Sequence, residues 1–141
     1  MHLKFEQAQA LSREVIGAGI EVHRILGPGL LESIYEKCLM RELDLRGLHA
    51  VNQQEVQIDY KGDIFTEELR FDVCVEDCLL VEVKAVQEVH PIHKAILLSY
   101  MKLLDIPIGL VMNFHEIRLV DGVSRLILRD PVTTKANEER I

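Results

Sequence analysis

From Glu6 to Ile25, apolar residues fall at Ala8, Leu11, Val15, Ala18, Val22 and Ile25. Steps of three and four predict a helix with a single apolar stripe. Gly17 and Gly19 leave room there for close approach by another element. Gly27-Pro28-Gly29 then interrupts the chain. The pattern predicts a second helix from about Leu30 to Arg46, with Leu31, Ile34, Tyr35, Cys38 and Leu45 on or near one face. Leu39 and Leu43 widen that face, and Gly47 supplies the C-terminal cap. Glu32 lies beside the stripe, with Tyr35 and Glu36 as its forward helical neighbours. From there a carboxylate can point over a sheet edge.

Period two takes over next. Val51–Tyr60 and Ile64–Glu68 read as strands around the turn Lys61-Gly62-Asp63, and strand character continues through Phe71–Val75 and Cys78–Ala85. In strict alternation Phe71, Val73 and Val75 face one way, as do Leu79, Val81, Val83 and Ala85, while Asp72, Glu82 and Lys84 face the other. A two-residue loop at Glu76-Asp77 would pair Val75 with Cys78 and part the two acids. A three-residue loop, Glu76 to Cys78, pairs Val75 with Leu79, Val73 with Val81 and Asp72 with Glu82. It leaves one apolar face with both carboxylates opposite, and is the expected register.

Pro91 opens a third predicted helix, about Pro91 to Leu104. Ile108 to Phe114 is apolar nearly throughout, as an interior strand covered on both faces should be. Glu116–Val120 and Val123–Leu128 read as a hairpin around Asp121-Gly122, and Pro131–Ile141 as a loose polar tail. The order predicts an α/β fold with α+β character: a mixed sheet flanked by helices. One domain, 1–130, is expected, followed by the tail, 131–141.

Composition narrows the function classes. With 48% apolar residues, 5% aromatic and no Trp, the core of this 141-residue chain must be largely aliphatic. A net charge of -7 argues against nonspecific coating of nucleic acid or anionic membrane, but leaves room for a local basic strip or an acidic metal site. Three cysteines make no disulfide framework, and Cys74 and Cys78 are spaced poorly for zinc, so all three are expected to be buried thiols. No secretory leader and no apolar run of membrane-spanning length is visible; a soluble, cytoplasmic protein without membrane contact is expected. Gly27-Pro28-Gly29 lacks the GK[ST] that would make it a phosphate loop.

The candidate chemistry centres on Asp72 and Glu82-Val83-Lys84. Two carboxylates on one sheet face can hold hard divalent cations, and Glu32 can add a third. Such a cation would relieve the repulsion among the acids, acidify a water and stabilise charge on a phosphate under attack. Lys84 can assist that charge electrostatically. This constellation predicts metal-assisted phosphodiester hydrolysis, with Asp72 and Glu82 near solvent. The plainer reading is a solvated sheet face, with Glu32 as an ordinary first-turn acid and Lys84 paired to Glu82. His90 and His93 flank Pro91 and suit cap or surface roles, with His93 bordering the cleft. His23 suits a packed or hydrogen-bonded role.

Gly29-Leu30-Leu31-Glu32-Ser33-Ile34-Tyr35 carries the signature GxxExxY. The preceding Glu21–Pro28, the Phe71-Asp72 strand, Glu82-Val83-Lys84-Ala85, the His93–Tyr100 helix and Asn113-Phe114 extend the likeness over about Val15 to Arg129. The chain thus resembles the GxxExxY family, which is similar to the PD-(D/E)xK nuclease superfamily. The resemblance implies a restriction-endonuclease-like core and a metal-dependent nuclease, acting on DNA rather than RNA. It implies Mg²⁺ or Mn²⁺ as cofactor, Glu32, Asp72, Glu82 and Lys84 as catalytic residues, and Glu32, Asp72, Glu82 and the Val83 carbonyl as metal ligands. His93, Lys94 and Tyr100 become candidate substrate contacts, though Tyr100 equally suits packing. Lys84, Lys94, Lys102 and Arg70 are candidates for a phosphate-attracting surface, and a homodimer or protein partner could complete it. Ile96 stands where relatives carry a Gln-like residue. An Ile side chain cannot hydrogen-bond water or phosphate, so a catalytically weakened, nuclease-like interaction module is the alternative.

Overall fold

The structure, a computed structural model, describes residues 2–128, and the backbone alone of 136–140. Helix α1 spans Phe5–Leu26 and α2 spans Glu32–Leu45. Strands β1 (Ala50–Tyr60), β2 (Asp63–Val75) and β3 (Leu79–Lys84) follow, then α3 (Pro91–Leu104) and β4 (Ile108–Asn113). A 3₁₀ turn, Leu119–Gly122, leads to β5 (Val123–Leu128) and β6 (Ala136–Arg140). The six strands form one sheet in chain order. Only β3 and β4 pair in parallel, joined by α3; the other pairs are antiparallel.

The sheet is the middle of three layers. On one side α1 and α2 cover Val73, Val75, Leu79, Val81, Val83, Ile108, Leu110 and Met112. On the other, α3 sets Leu97 and Met101 against Phe71, Cys74, Leu80, Val111 and Leu126. Strand β4 is buried along its whole length, as its unbroken apolar sequence requires. Alternation resolves β3 in the same way: Leu79, Val81 and Val83 enter the first core, Leu80 the second.

The sequence patterns locate the helices within two residues. Gly19 does allow a close approach: a Cβ there would lie 2.9 Å from Met112 Sδ and 3.0 Å from a Leu119 methyl. The buried stripe of α2 is narrower than expected. Tyr35, Leu39 and Leu43 are fully buried at four-residue spacing, whereas Leu31, Ile34 and Leu45 are exposed. Helix α2 ends on a Schellman motif, with Leu48 N–H donating to Leu43 O (3.0 Å) and Gly47 N–H to Asp44 O (2.9 Å). Gly47 takes the positive φ of 75° which that motif demands. Pro91 and His90 start α3 as expected, the His90 ring accepting from Ile92 N–H at 3.3 Å.

The β2–β3 register is the three-residue-loop register, with Val75 opposite Leu79 and Val73 opposite Val81. Three other expectations are corrected. Phe71 does not share a face with Val73 and Val75; its ring enters the α3-side core. Between the pairs Val51↔Cys74 and Gln53↔Arg70, β1 advances two residues while β2 advances four. This bulge breaks the alternation and bends the strand. Glu116–Val120 is not a strand: Leu119 is buried beside Gly19, and His23 Nε2–H donates to Glu116 O (2.7 Å), so the segment packs onto α1 as a turn. Finally, Ala136–Arg140 pairs antiparallel with β5 rather than trailing as part of a loose tail. An edge strand asks only for backbone partners, so a charged sequence is no obstacle. The other residues assigned to the tail, 131–135 and 141, lie outside the described residues.

Candidate active site

The bulge and the end of β3 create the site. Beyond Val73↔Val81 the β2–β3 ladder stops, and a side chain takes over from the backbone: Asp72 Oδ2 accepts the N–H of Val83 at 2.7 Å. The strands therefore part at Asp72, and the aspartate stands in the fork. Two residues on, Ala85 N–H donates to Glu32 Oε1 (3.1 Å), tying the first residue of α2 to the end of β3. The N-terminal end of the helix dipole favours a carboxylate there.

The GxxExxY segment explains how Glu32 is held. Gly27 and Gly29 take φ of 73° and 94°, conformations that strain other residues. The fully buried Tyr35 locks the loop: its hydroxyl donates to Gly27 O (2.6 Å) and accepts from Leu30 N–H (3.1 Å). Its ring stacks on Phe114 at 4.4 Å. Asn113, also buried, fixes the opposite wall. Its Oδ1 accepts from Val86 N–H (3.1 Å) and its Nδ2 donates to Val86 O (2.8 Å), while Phe114 N–H donates to Lys84 O (2.8 Å).

Glu82 and Lys84 project from the side of β3 opposite Val81 and Val83, and pair at 3.3 Å between Nζ and Oε1. Each side chain is only 16% exposed, so the expectation that Glu82 lies near solvent is corrected. Burial pushes the Glu82 carboxyl above its usual range; the Asp72 charge adds to that and Lys84 opposes it.

Glu36, one helical turn beyond Glu32, belongs to the same neighbourhood. Burial, then a hydrogen bond and charge repulsion from Asp72, then the charges of Glu32 and Glu82, push its carboxyl up to about 7. The sequence reading passed over Glu36 as a site residue, although its signal was present: four residues after Glu32, it shares that side of α2. His93 borders the group. Burial lowers its pKa, the nearby Lys84 and His90 charges lower it further, and Glu32 opposes them. Its Nδ1 is buried without a hydrogen-bond partner.

The structure thus brings Glu32, Glu36, Asp72, Glu82, Lys84 and His93 into one electrostatic neighbourhood, bounded by the Val83 N–H that Asp72 holds. The remaining candidates lie further out. Tyr100 packs against the α3-side core, and Ile96 is exposed. Lys94 lines a polar pocket of about 410 Å³ with Gln87, Glu88 and Asn113. Arg70 does not join the α3 lysines: it pairs with Glu68 (3.3 Å) on the ribbon face opposite Leu69, which packs toward α3. His23 is packed and hydrogen-bonded, as expected. Cys74 and Cys78 are buried thiols, but Cys38 is only half-buried.

All the acidic donors are hard oxygens, the class that Mg²⁺ and Mn²⁺ take. Asp72 and Glu32 each commit one oxygen to a backbone N–H, and Asp72 also hydrogen-bonds the Glu36 carboxyl. Among the described residues, no three His, Cys, Asp or Glu side chains form a group that could hold a metal ion as they stand. No described helix is long and apolar enough to cross a membrane.

A mixed sheet flanked by helices, with acids where two strands part, is a restriction-endonuclease-like core. The profile of the PD-(D/E)XK nuclease superfamily matches residues 9–126, and the chain belongs to that superfamily. Its members typically use divalent metal ions. No curated protein and no solved structure matches the chain.

Proposed function

We propose that this chain, as a member of the GxxExxY branch, is a Mg²⁺- or Mn²⁺-dependent phosphodiester hydrolase acting on nucleic acid, with DNA preferred. The observation that carries this reading is the excess of acid around Lys84. Four carboxyl groups share the neighbourhood of one lysine, and burial, then their mutual repulsion, pushes Glu36 up to about 7. Such a site gains from a divalent cation.

Glu32, Asp72, Glu82 and the Val83 carbonyl would hold the ion, and binding must draw the carboxylates closer than they stand. The bound ion would supply Lewis-acid stabilisation of the phosphate under attack. Lys84, oriented by Glu82, places an ammonium where negative charge grows in the transition state. His93, once a turn of its ring uncovers the buried Nδ1, would contact the nucleic acid backbone, and Lys94 adds attraction for a neighbouring phosphate. Three free thiols suit a reducing cytoplasm.

A second reading, a nuclease-like module that binds without cutting, is favoured by the ungathered carboxylates and by the charge of -7. One experiment separates the two. Linear, nicked, branched and single-stranded DNA and RNA are incubated with Mg²⁺, Mn²⁺ or chelator, scoring cleavage and binding together. Hydrolysis that needs the metal and disappears in Asp72→Asn and Glu82→Ala supports the enzyme. Cleavage equal in wild type and double variant rejects the assignment. Binding without cleavage under every metal condition establishes the module.

A further inference from the structure

Beyond the sheet body, β1 and β2 continue as a two-stranded ribbon. Cross-strand pairs Gln54↔Leu69, Val56↔Glu67, Ile58↔Phe65 and Tyr60↔Asp63 define one of its faces. At the root, Val51 and Leu69 pack against the α3-side core. Toward the turn, Val56, Ile58, Phe65 and Tyr60 belong to neither core; Phe65 is 41% and Tyr60 63% exposed. An isolated two-stranded ribbon is marginal in water, and this one carries a partly exposed apolar face, on which Val56 and Ile58 are half-buried and the Lys61 ammonium lies 5.4 Å from the Tyr60 ring centre.

Helix α3 has the complementary feature. Leu97 and Met101 face the sheet, while Ile92 (53% exposed), Ile96, Ser99 and Leu103 (40% exposed) run along the outer side at helical spacing. The two surfaces match in length: seven ribbon residues and fourteen helical residues each span roughly 20 Å. They match in charge as well. The charged residues of that ribbon face, Glu67 and Asp63, are both acids, whereas α3 carries no acid and sets Lys102 beside its outer face. The acidic ribbon is ill suited to a nucleic acid groove.

We propose that two copies of this chain pair about a two-fold axis, the apolar ribbon face of each lying on the outer face of α3 of the other. The contact continues between chains the packing already made within one, where the ribbon root lies against the α3-side core. Both surfaces sit on the same chain, so a two-fold axis makes the contact twice and closes. The doubling helps a small patch approach the roughly 1,000 Å² a specific pair needs. This arrangement is independent of the catalytic reading, because it uses none of the site carboxylates.

Sedimentation equilibrium over a concentration series tests it. Wild type should approach twice 16.1 kDa. Ile92→Lys with Leu103→Lys on the helix, or Ile58→Lys with Phe65→Lys on the ribbon, should each give monomers with unchanged circular dichroism. Mixed, the two variants regain one of the two contacts, so they should associate more than either does alone and less than wild type. The proposal is overturned by wild-type monomer at every concentration, or by a dimer that either pair of substitutions leaves untouched.

Discussion

Glu36 is the residue where charge and fold meet most sharply. Its carboxyl titrates near 4.5 in the unfolded chain and near 7 when folded. Between those values the folded chain holds the extra proton, so stability falls as pH rises from about 4.5 to about 7. In chelator, urea denaturation of Glu36→Gln should show a smaller fall over that range and a variant more stable than wild type at pH 8. Glu82, also raised, leaves a residual slope of the same sign. An unchanged pH profile in the variant would place the proton elsewhere. Tyr35 makes a different kind of contribution. Tyr35→Phe keeps the stack on Phe114 but strands Gly27 O and Leu30 N–H. It should cost about 1–3 kcal/mol in denaturation, with a further loss of activity if the loop releases Glu32.

At the scale of elements, the helices were legible because their apolar spacing has no competing solution. The β2–β3 register was legible because one loop length leaves the acids on one side and the apolar residues on the other. Other features lay beyond local pattern. Phe71-x-Val73-x-Val75 alternates perfectly, yet the bulge turns Phe71 to the opposite face; only pairing with β1 exposes the extra residues. Glu116–Val120 looks strand-like, but tertiary contact with α1 outweighs its propensity. The candidate acids were named from Asp72, Glu82 and the signature, whereas Glu36 needed α2 docked against the fork. The 3₁₀ turn also supports the site wall: a Cβ on Gly122 would collide with Asn113 O. Gly122→Ala must therefore shift the turn or β4. A loss of about 1–3 kcal/mol is expected, with reduced activity because Asn113 holds Val86 beside Lys84. Wild-type stability and activity in that variant would break the link.

The whole molecule carries a charge of -7, and its site offers few cations to nucleic acid. With Lys84 and Lys94 as the phosphate contacts, log affinity against log salt should fall with a slope of about -2, at -0.9 per contact. Fluorescence anisotropy with Asp72→Asn protein and labelled DNA measures it. A slope several times steeper would require a basic surface elsewhere, and would move the substrate path away from α3. The acidic body also keeps nonspecific association weak, so the proposed recognition of nucleic acid would rest on metal, shape or a second copy of the chain rather than on general attraction.

Asp72 clasps the main chain of β3, whereas Glu82 and Lys84 clasp each other. Under the proposed hydrolase reading, a descendant that had abandoned catalysis would still need an oxygen at position 72 to keep its neighbouring strands in place, but would be free to let the other two drift. Across a lineage, the paired side chains on β3 are therefore the better witnesses to living chemistry, and the aspartate is foremost a witness to architecture.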